Sequence, residues 1–150
     1  WNFEALARVF PKARFIYTMR PLDEWEQSVT RHYQEKTPAI LKQRLEKTPV
    51  LNKATGPSAL THDPLYHAMH HALYTGHDTW RDAYEAHDAR VRSFFETAPE
   101  RLLTLNAFEG EQDWTELCEF LGRKIPDAPY PHLSWKAREP ANSPPALLNA

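Results

Sequence analysis

The sequence predicts an α/β chain of three layers, a mainly parallel sheet with helices packed on its faces. Three observations carry this. Two short runs suit strands: Ala13–Met19, which contains Phe15, Ile16, Tyr17 and Thr18, and Arg101–Leu105, which reads RLLTL. Each run is followed by segments with apolar residues at helical spacing, giving the order strand, helices, strand, helix that characterises α/β architecture. The length of 150 residues suffices for one domain with a real core, predicted over residues 1–136, and is too short for two. Two strands cannot form a stable open sheet alone, so further strands upstream of Trp1 or a partner chain are expected, a second copy being one such partner.

Asn2 is placed to cap a first helix carrying Phe3, Leu6, Ala7 and Phe10. The strand over Ala13–Met19 then runs into Arg20-Pro21, a break in the backbone. Asp23 with Glu26 three residues later is a capping-box pattern, which predicts a helix start. Trp25, Val29, His32 and Tyr33 recur at helical spacing as its buried stripe, with Ser28 on the same stripe. Residues 34–61 read as an insertion. Within it Thr37-Pro38 opens a short helix through Ile40, Leu41 and Leu45, and Pro49–Ser58 reads as loop. Asn52–Ser58 faintly echoes a phosphate-cradling loop but lacks the second half of that pattern.

Asp63-Pro64 begins another helix, expected to turn Leu65, Met69, Ala72 and Leu73 inward and to stop at Gly76. His67, His70 and His71 then fall on its other face, lining a cleft or solvated. His67 and His71 have the i, i+4 spacing of a metal pair, yet neither a cysteine nor an HExxH glutamate accompanies them, so no metal is expected. Asp78 is placed to cap the longest helix, running to about Thr97. Trp80, Ala83, Tyr84, His87, Val91, Phe94 and Phe95 form its apolar stripe, wider than one face of a sheet usually needs. After Pro99 and the second strand, Asp113 and Glu116 repeat the capping box. Trp114, Leu117, Cys118 and Leu121 should bury against the sheet, with Gly122 as the stop. Prolines dominate from Ile125, and residues 137–150 read as a poorly packed tail.

The formal charge of −2 argues against bulk attraction to nucleic acid or an acidic membrane. An anionic ligand must therefore be held by a local cluster. Cys118 is the lone cysteine, so no intrachain disulfide can form, and a reducing cytoplasm is compatible. No run reaches the length of a membrane span and no signal peptide is visible, so the expectation is a cytoplasmic protein.

A strand that ends in an arginine and turns at once into a helix is a natural anion site. The arginine stands at the carboxyl end of a strand, where open α/β sheets bind ligands, and the helix start adds unpaired N–H groups. Arg20 can make a forked pair of hydrogen bonds to a phosphate and Ser28 can add a hydroxyl donor. Equally, Arg20 can be an ordinary surface arginine and Ser28 a small residue at the core edge.

The segment FPKARFIYTMRPLDEWEQSVTRHY resembles the 3′-phosphate-binding segment of sulfotransferases that use 3′-phosphoadenosine-5′-phosphosulfate. The family pattern is a strand, Arg-x-Pro, then a serine eight residues after the arginine; here Arg20 and Ser28 keep that spacing, with the proline shifted to Pro21. A second block, Arg101–Leu133, is similar to the end of the bacterial-type domain: strand, acidic turn, a W..L..FLG helix and a P..P.PH exit. The resemblance implies the P-loop-type sulfotransferase fold. It also implies transfer of a sulfuryl group from that nucleotide to the hydroxyl or amine of a small-molecule acceptor. Arg20 and Ser28 would anchor the 3′-phosphate, with His32, Lys136 and Arg138 as further candidate contacts. In the family a Lys-x-Gly-Thr-Thr loop and the usual base, often a histidine, lie upstream of the segment matched at Trp1, so the fold is expected to be incomplete at its N-terminus. Two other readings stand beside it: a non-catalytic binding domain that kept the fold, and a small-molecule kinase relative, which would need a Walker-type loop.

Overall fold

The computed structural model describes residues 2–34, 37–51, 62–106 and 114–130. The chain divides into two compact units, Trp1–Gly110 and Glu111–Ala150. In the first, the order is α1 (Phe3–Val9), β1 (Phe15–Met19), α2 (Leu22–Tyr33), α3 (Pro38–Lys47), α4 (Pro64–Leu73), α5 (Trp80–Phe95), a single 3₁₀ turn (Pro99–Arg101) and β2 (Leu102–Asn106). The two strands pair in parallel, Phe15 opposite Leu102 and Met19 opposite Asn106. A parallel pair cannot be closed by a hairpin, so the helices between the strands form one long crossover.

Pleating places Phe15, Tyr17 and Met19 on one face of β1, each half-buried, and leaves Ile16 and Thr18 exposed on the other. The half-buried face meets α5. Phe15 packs on Phe95 with ring centres 5.1 Å apart, and Tyr17 meets His87 edge-on at 5.8 Å. α1 joins them through Phe3, which touches Phe94 at 5.4 Å, while Glu4 pairs with Arg90. Arg101 donates to the carbonyls of Ala13 and Phe10, which ties the approach to β1 to the start of β2. Those bonds hold Ala13 in a connection outside the ladder, so the strand is shorter at its start than the apolar run.

A second core lies where α2, α3, α4 and the start of α5 converge. Val29, Leu41, Leu45 and Trp80 are buried there, with Trp25, Tyr33, Tyr66 and Tyr74 packed around them. Tyr33 stacks on Trp80 at 5.6 Å. His70 sits inside this aromatic cluster, only 1% exposed. Its Nδ1–H donates to the Tyr66 carbonyl at 2.7 Å, so its Nε2 carries the lone pair and accepts from the Tyr33 hydroxyl at 2.8 Å. Both nitrogens are satisfied in one neutral tautomer, which is what a buried imidazole needs.

The structure corrects several expectations. α4 is rotated from the expected orientation: His67 and His70 are buried and Met69 and Leu73 half-buried, whereas Leu65 is 64% exposed and Ala72 lies on the surface. Tyr66, His70 and Tyr74 recur every four residues, and that aromatic stripe outcompetes the aliphatic one because Tyr33 supplies a hydroxyl to the imidazole. The expected Asp23–Glu26 capping box is absent. The helix begins one residue earlier with Pro21 at the cap, and both carboxylates instead take Arg81 of α5, at 2.6 and 3.2 Å. His32 is exposed, not part of the buried stripe. α5 is capped by Thr79, whose side chain exchanges hydrogen bonds with Asp82 in a full capping box, one residue after Asp78. Leu6 on α1 is exposed, and Phe10, expected on the same helix, lies past its end and is exposed too. Asp63 does cap α4, accepting from the Leu65 and Tyr66 N–H groups, and Pro38, Leu41 and Leu45 do bury α3. The Asn52–Ser58 segment and the 137–150 tail lie outside the described residues.

In the second unit α6 spans Thr115–Leu121. Trp114 takes the cap position, and the expected partner Asp113 lies outside the described residues. The Trp114 indole donates to the Ala128 carbonyl at 2.8 Å and packs on Tyr130. Cys118 is buried, Leu121 is exposed, and Gly122 ends the helix at φ 64°, a left-handed turn that suits glycine. Among the described residues no helix is long and apolar enough to cross a membrane.

Burial holds the His70 imidazole below its ordinary pKa of 6.5, and the nearby charge of Arg44 pushes the same way. The unfolded chain therefore binds a proton in a window just below pH 6.5 that the folded chain refuses. Stability should fall as pH drops through that window and level off below the folded pKa. Urea unfolding between pH 7 and pH 5 checks this, with a smaller drop expected for His70→Asn; His87, also depressed by burial, accounts for part of what remains.

Candidate active site

β1 ends at Met19, and Arg20 stands at its carboxyl end. Pro21, at φ −49° and ψ 133°, turns the chain into α2. The Arg20 carbonyl, freed from the ladder by this turn, accepts the Tyr84 hydroxyl at 2.8 Å, so α5 pins the strand end directly. The half-buried Arg20 guanidinium lies 3.8 Å from the exposed Glu24, an i, i+4 pair.

Behind this turn is a cavity of about 380 Å³. Tyr17 and Arg20 come to its wall from β1, Trp25 from α2, Tyr74 from the end of α4, and Tyr84 and His87 from α5. Trp25 lies 5.1 Å from Tyr84 and 6.4 Å from Tyr74, centre to centre. Burial first, and then the nearby Asp88 carboxylate, push the Tyr17 hydroxyl up to about 12; the same two causes raise Tyr84. Both phenols therefore keep their protons at neutral pH and act as hydrogen-bonding groups. Burial also holds His87 below its ordinary pKa, so it is neutral. Its Nδ1 is enclosed with no hydrogen-bond partner, and its ring is set edge-on to Phe3 and Tyr17.

Of the residues singled out in the sequence, Arg20 lines this cavity. Ser28 is half-buried on α2 and is not among the lining residues. His32 borders a different cavity of about 280 Å³ with Tyr33, Arg44 and Thr48. Lys136 and Arg138 lie outside the described residues. His67 and His70 are buried while His71 is exposed, and among the described residues no group of three or more metal-ligating side chains is placed to hold an ion. Tyr84 and His87 were assigned to the core by their spacing. The signal that marked them was the excess width of the α5 stripe, since side chains beyond those needed to cover the sheet must face something else.

The model of the sulfotransferase domain family matches residues 1–138. The chain belongs to that family. No curated protein and no solved structure is a match to it. This sulfotransferase domain is a mixed helix-and-strand chain with a small parallel sheet, and its strand–arginine–helix segment borders the cavity just described.

Within the sulfotransferase domain α5 is tied to the strand end by Arg92, which reaches the Met19 sulfur at 3.2 Å, and by the Tyr84 bond, which a single atom controls. Tyr84→Phe leaves the ring in place and removes the donor to the Arg20 carbonyl. It should lower unfolding free energy by about 0.5–1.5 kcal/mol in urea titration. No change would mean the bond does not hold the turn.

Proposed function

We propose that this chain transfers a sulfuryl group from 3′-phosphoadenosine-5′-phosphosulfate to the hydroxyl or amine of a small-molecule acceptor. The reading includes the three-layer P-loop-type fold of that enzyme class and a cytoplasmic setting. The observation that carries it is Arg20: a guanidinium at the carboxyl end of a parallel strand, at the start of a helix, in a chain of the sulfotransferase domain family. The residues fit the 3′-phosphate. Arg20 offers a planar fork of donors, and Ser28 follows on α2 as a half-buried hydroxyl. Of the acids in the first turn of α2, Asp23 is committed to Arg81, and Glu24, exposed and 3.8 Å from Arg20, is the partner a phosphate would replace.

The nucleotide supplies the sulfuryl group and leaves as the bisphosphate. This chain's residues have a positioning task. Arg20 and Ser28 hold the end of the nucleotide remote from the transferred group, and the Tyr84 bond fixes the backbone from which Arg20 projects. Loss of either anchor should therefore weaken binding more than it slows the chemical step. The formal charge of −2 supports a local anion site over a broad electrostatic field, and with it a small-molecule partner over nucleic acid.

Calorimetric titration with adenosine 3′,5′-bisphosphate and adenosine 5′-monophosphate tests the reading. The bisphosphate should bind more tightly, and Arg20→Ala should weaken it about ten-fold or more, as expected for a charge-assisted hydrogen bond. Arg20→Lys should restore only part of the affinity, since an ammonium cannot reproduce the fork. Equal affinity for the two nucleotides, or normal binding by Arg20→Ala, would defeat it.

A further inference from the structure

A second cavity, of about 280 Å³, lies where the ends of α2 and α3 meet the start of α4. It shares no lining residue with the cavity at the strand end. The buried Leu45 and the half-buried rings of Tyr33 and Tyr66 supply its apolar walls, and His32, Arg44 and Thr48 complete the lining. Two of its hydroxyls are already spent. Tyr33 donates to His70, and Thr48 donates to the Arg44 carbonyl at 2.9 Å, which secures the end of α3. Arg44 and His32, both exposed, are the nitrogen donors on this wall.

The charge here is of one sign. Among the described residues no carboxylate lines the cavity. The fields that reach the core beside it agree: Arg44, His67 and His32 all oppose a proton on His70, and Arg44 favours the ionised form of the Tyr33 phenol. A basic residue in the last turn of a helix needs no ligand to explain it, but a helix end does not call for a hollow of tyrosine and leucine beside the charge. Arg44 lies over the Tyr33 ring, 5.8 Å from its centre. A guanidinium stacked on a ring keeps its N–H fork in its own plane, so one group can pack and pair with a carboxylate at once. Charge and size narrow the occupant. One guanidinium matches the two oxygens of one carboxylate, whereas a phosphate dianion calls for a second permanent cation. A volume of about 280 Å³, just under the roughly 300–1,000 Å³ of drug-sized sites, suits a single ring. We infer that this cavity binds a small aromatic carboxylate, its charge on Arg44 with His32 as a second donor, and its ring against Tyr33, Tyr66 and Leu45. The site stands apart from the nucleotide reading, and neither needs the other.

Titrating the chain with benzoate, while following the ¹⁵N signals of Arg44 Nε and the His32 ring, tests this. Benzoate should move both signals saturably. Benzamide has the same shape without the charge and should bind about ten-fold or more weakly, as expected for the loss of a charge-assisted hydrogen bond. Acetate, which keeps the charge and lacks the ring, should also bind more weakly than benzoate. Arg44→Gln should cost about ten-fold or more in benzoate affinity, and His32→Ala about three- to ten-fold. The ligand series in the wild type decides the matter if either variant does not fold. Arg20→Ala should bind benzoate normally. Unmoved signals, equal binding of benzamide or of acetate, or normal binding by Arg44→Gln would overturn the proposal. So would tighter binding of phenyl phosphate, which would assign the cavity to a phosphate ligand, and so would loss of benzoate binding in Arg20→Ala, which would place the anion at the strand end. Failure of adenosine 3′,5′-bisphosphate to bind, with benzoate binding intact, would count against the Arg20 reading and support the independence of this site.

Discussion

The structure depends on the burial of one face of α5. Two parallel strands need a covered connection, and this helix supplies the cover along its whole length. Phe95 and Val91 at its end are buried, with Phe95 under β1, and Trp80 at its start is buried in the aromatic cluster with α2, α3 and α4. A single helix thus belongs to two cores. Its middle turns, at Tyr84 and His87, span the interval between them, and the interval is the cavity. Shifting α5 by one residue would lose both cores together and would also break the Tyr84 bond that holds the turn after β1.

Two histidines in this unit experience the same force and answer it differently. Burial depresses both His70 and His87. His70 has a carbonyl for one nitrogen and a phenol for the other, so its polar demand is met inside the fold and its role is packing. His87 has one nitrogen enclosed without a partner, at the wall of a cavity. An unmet polar atom costs stability unless something later satisfies the ring. Partnering, more than burial, separates these two imidazoles.

Charge around the β1 end is local. Arg20 brings a cation to the wall of the cavity, while burial, and then the Asp88 carboxylate paired with Arg92, raises the phenols of Tyr17 and Tyr84 on the same wall. The net charge of the chain plays no part in this at such short range. Arg81 occupies Asp23 and Glu26 and joins α2 to α5.

The sequence by itself determined the class and order of the elements and the place of Arg20. Those depend on local properties: β-forming residues in Phe15–Met19, the proline after Arg20, the stripe of α5, the glycine after α6, all within a few residues of what they specify. Helix caps were legible only where one candidate was on offer, as at Asp63, and failed at Asp23, where the carboxylate found Arg81 more than fifty residues away. Tertiary structure alone decided which face of α4 is inside. Its helix carries both an aliphatic and an aromatic-histidine stripe, and the choice depends on Tyr33 meeting His70 from another helix. It also decided that Tyr84 and His87 border a cavity, with Trp25 and Tyr74 meeting both that cavity and the second core. Spacing records which side chains share a helix face, whereas whether that face closes on another or leaves room for a ligand is set by the distance at which the opposing element is held.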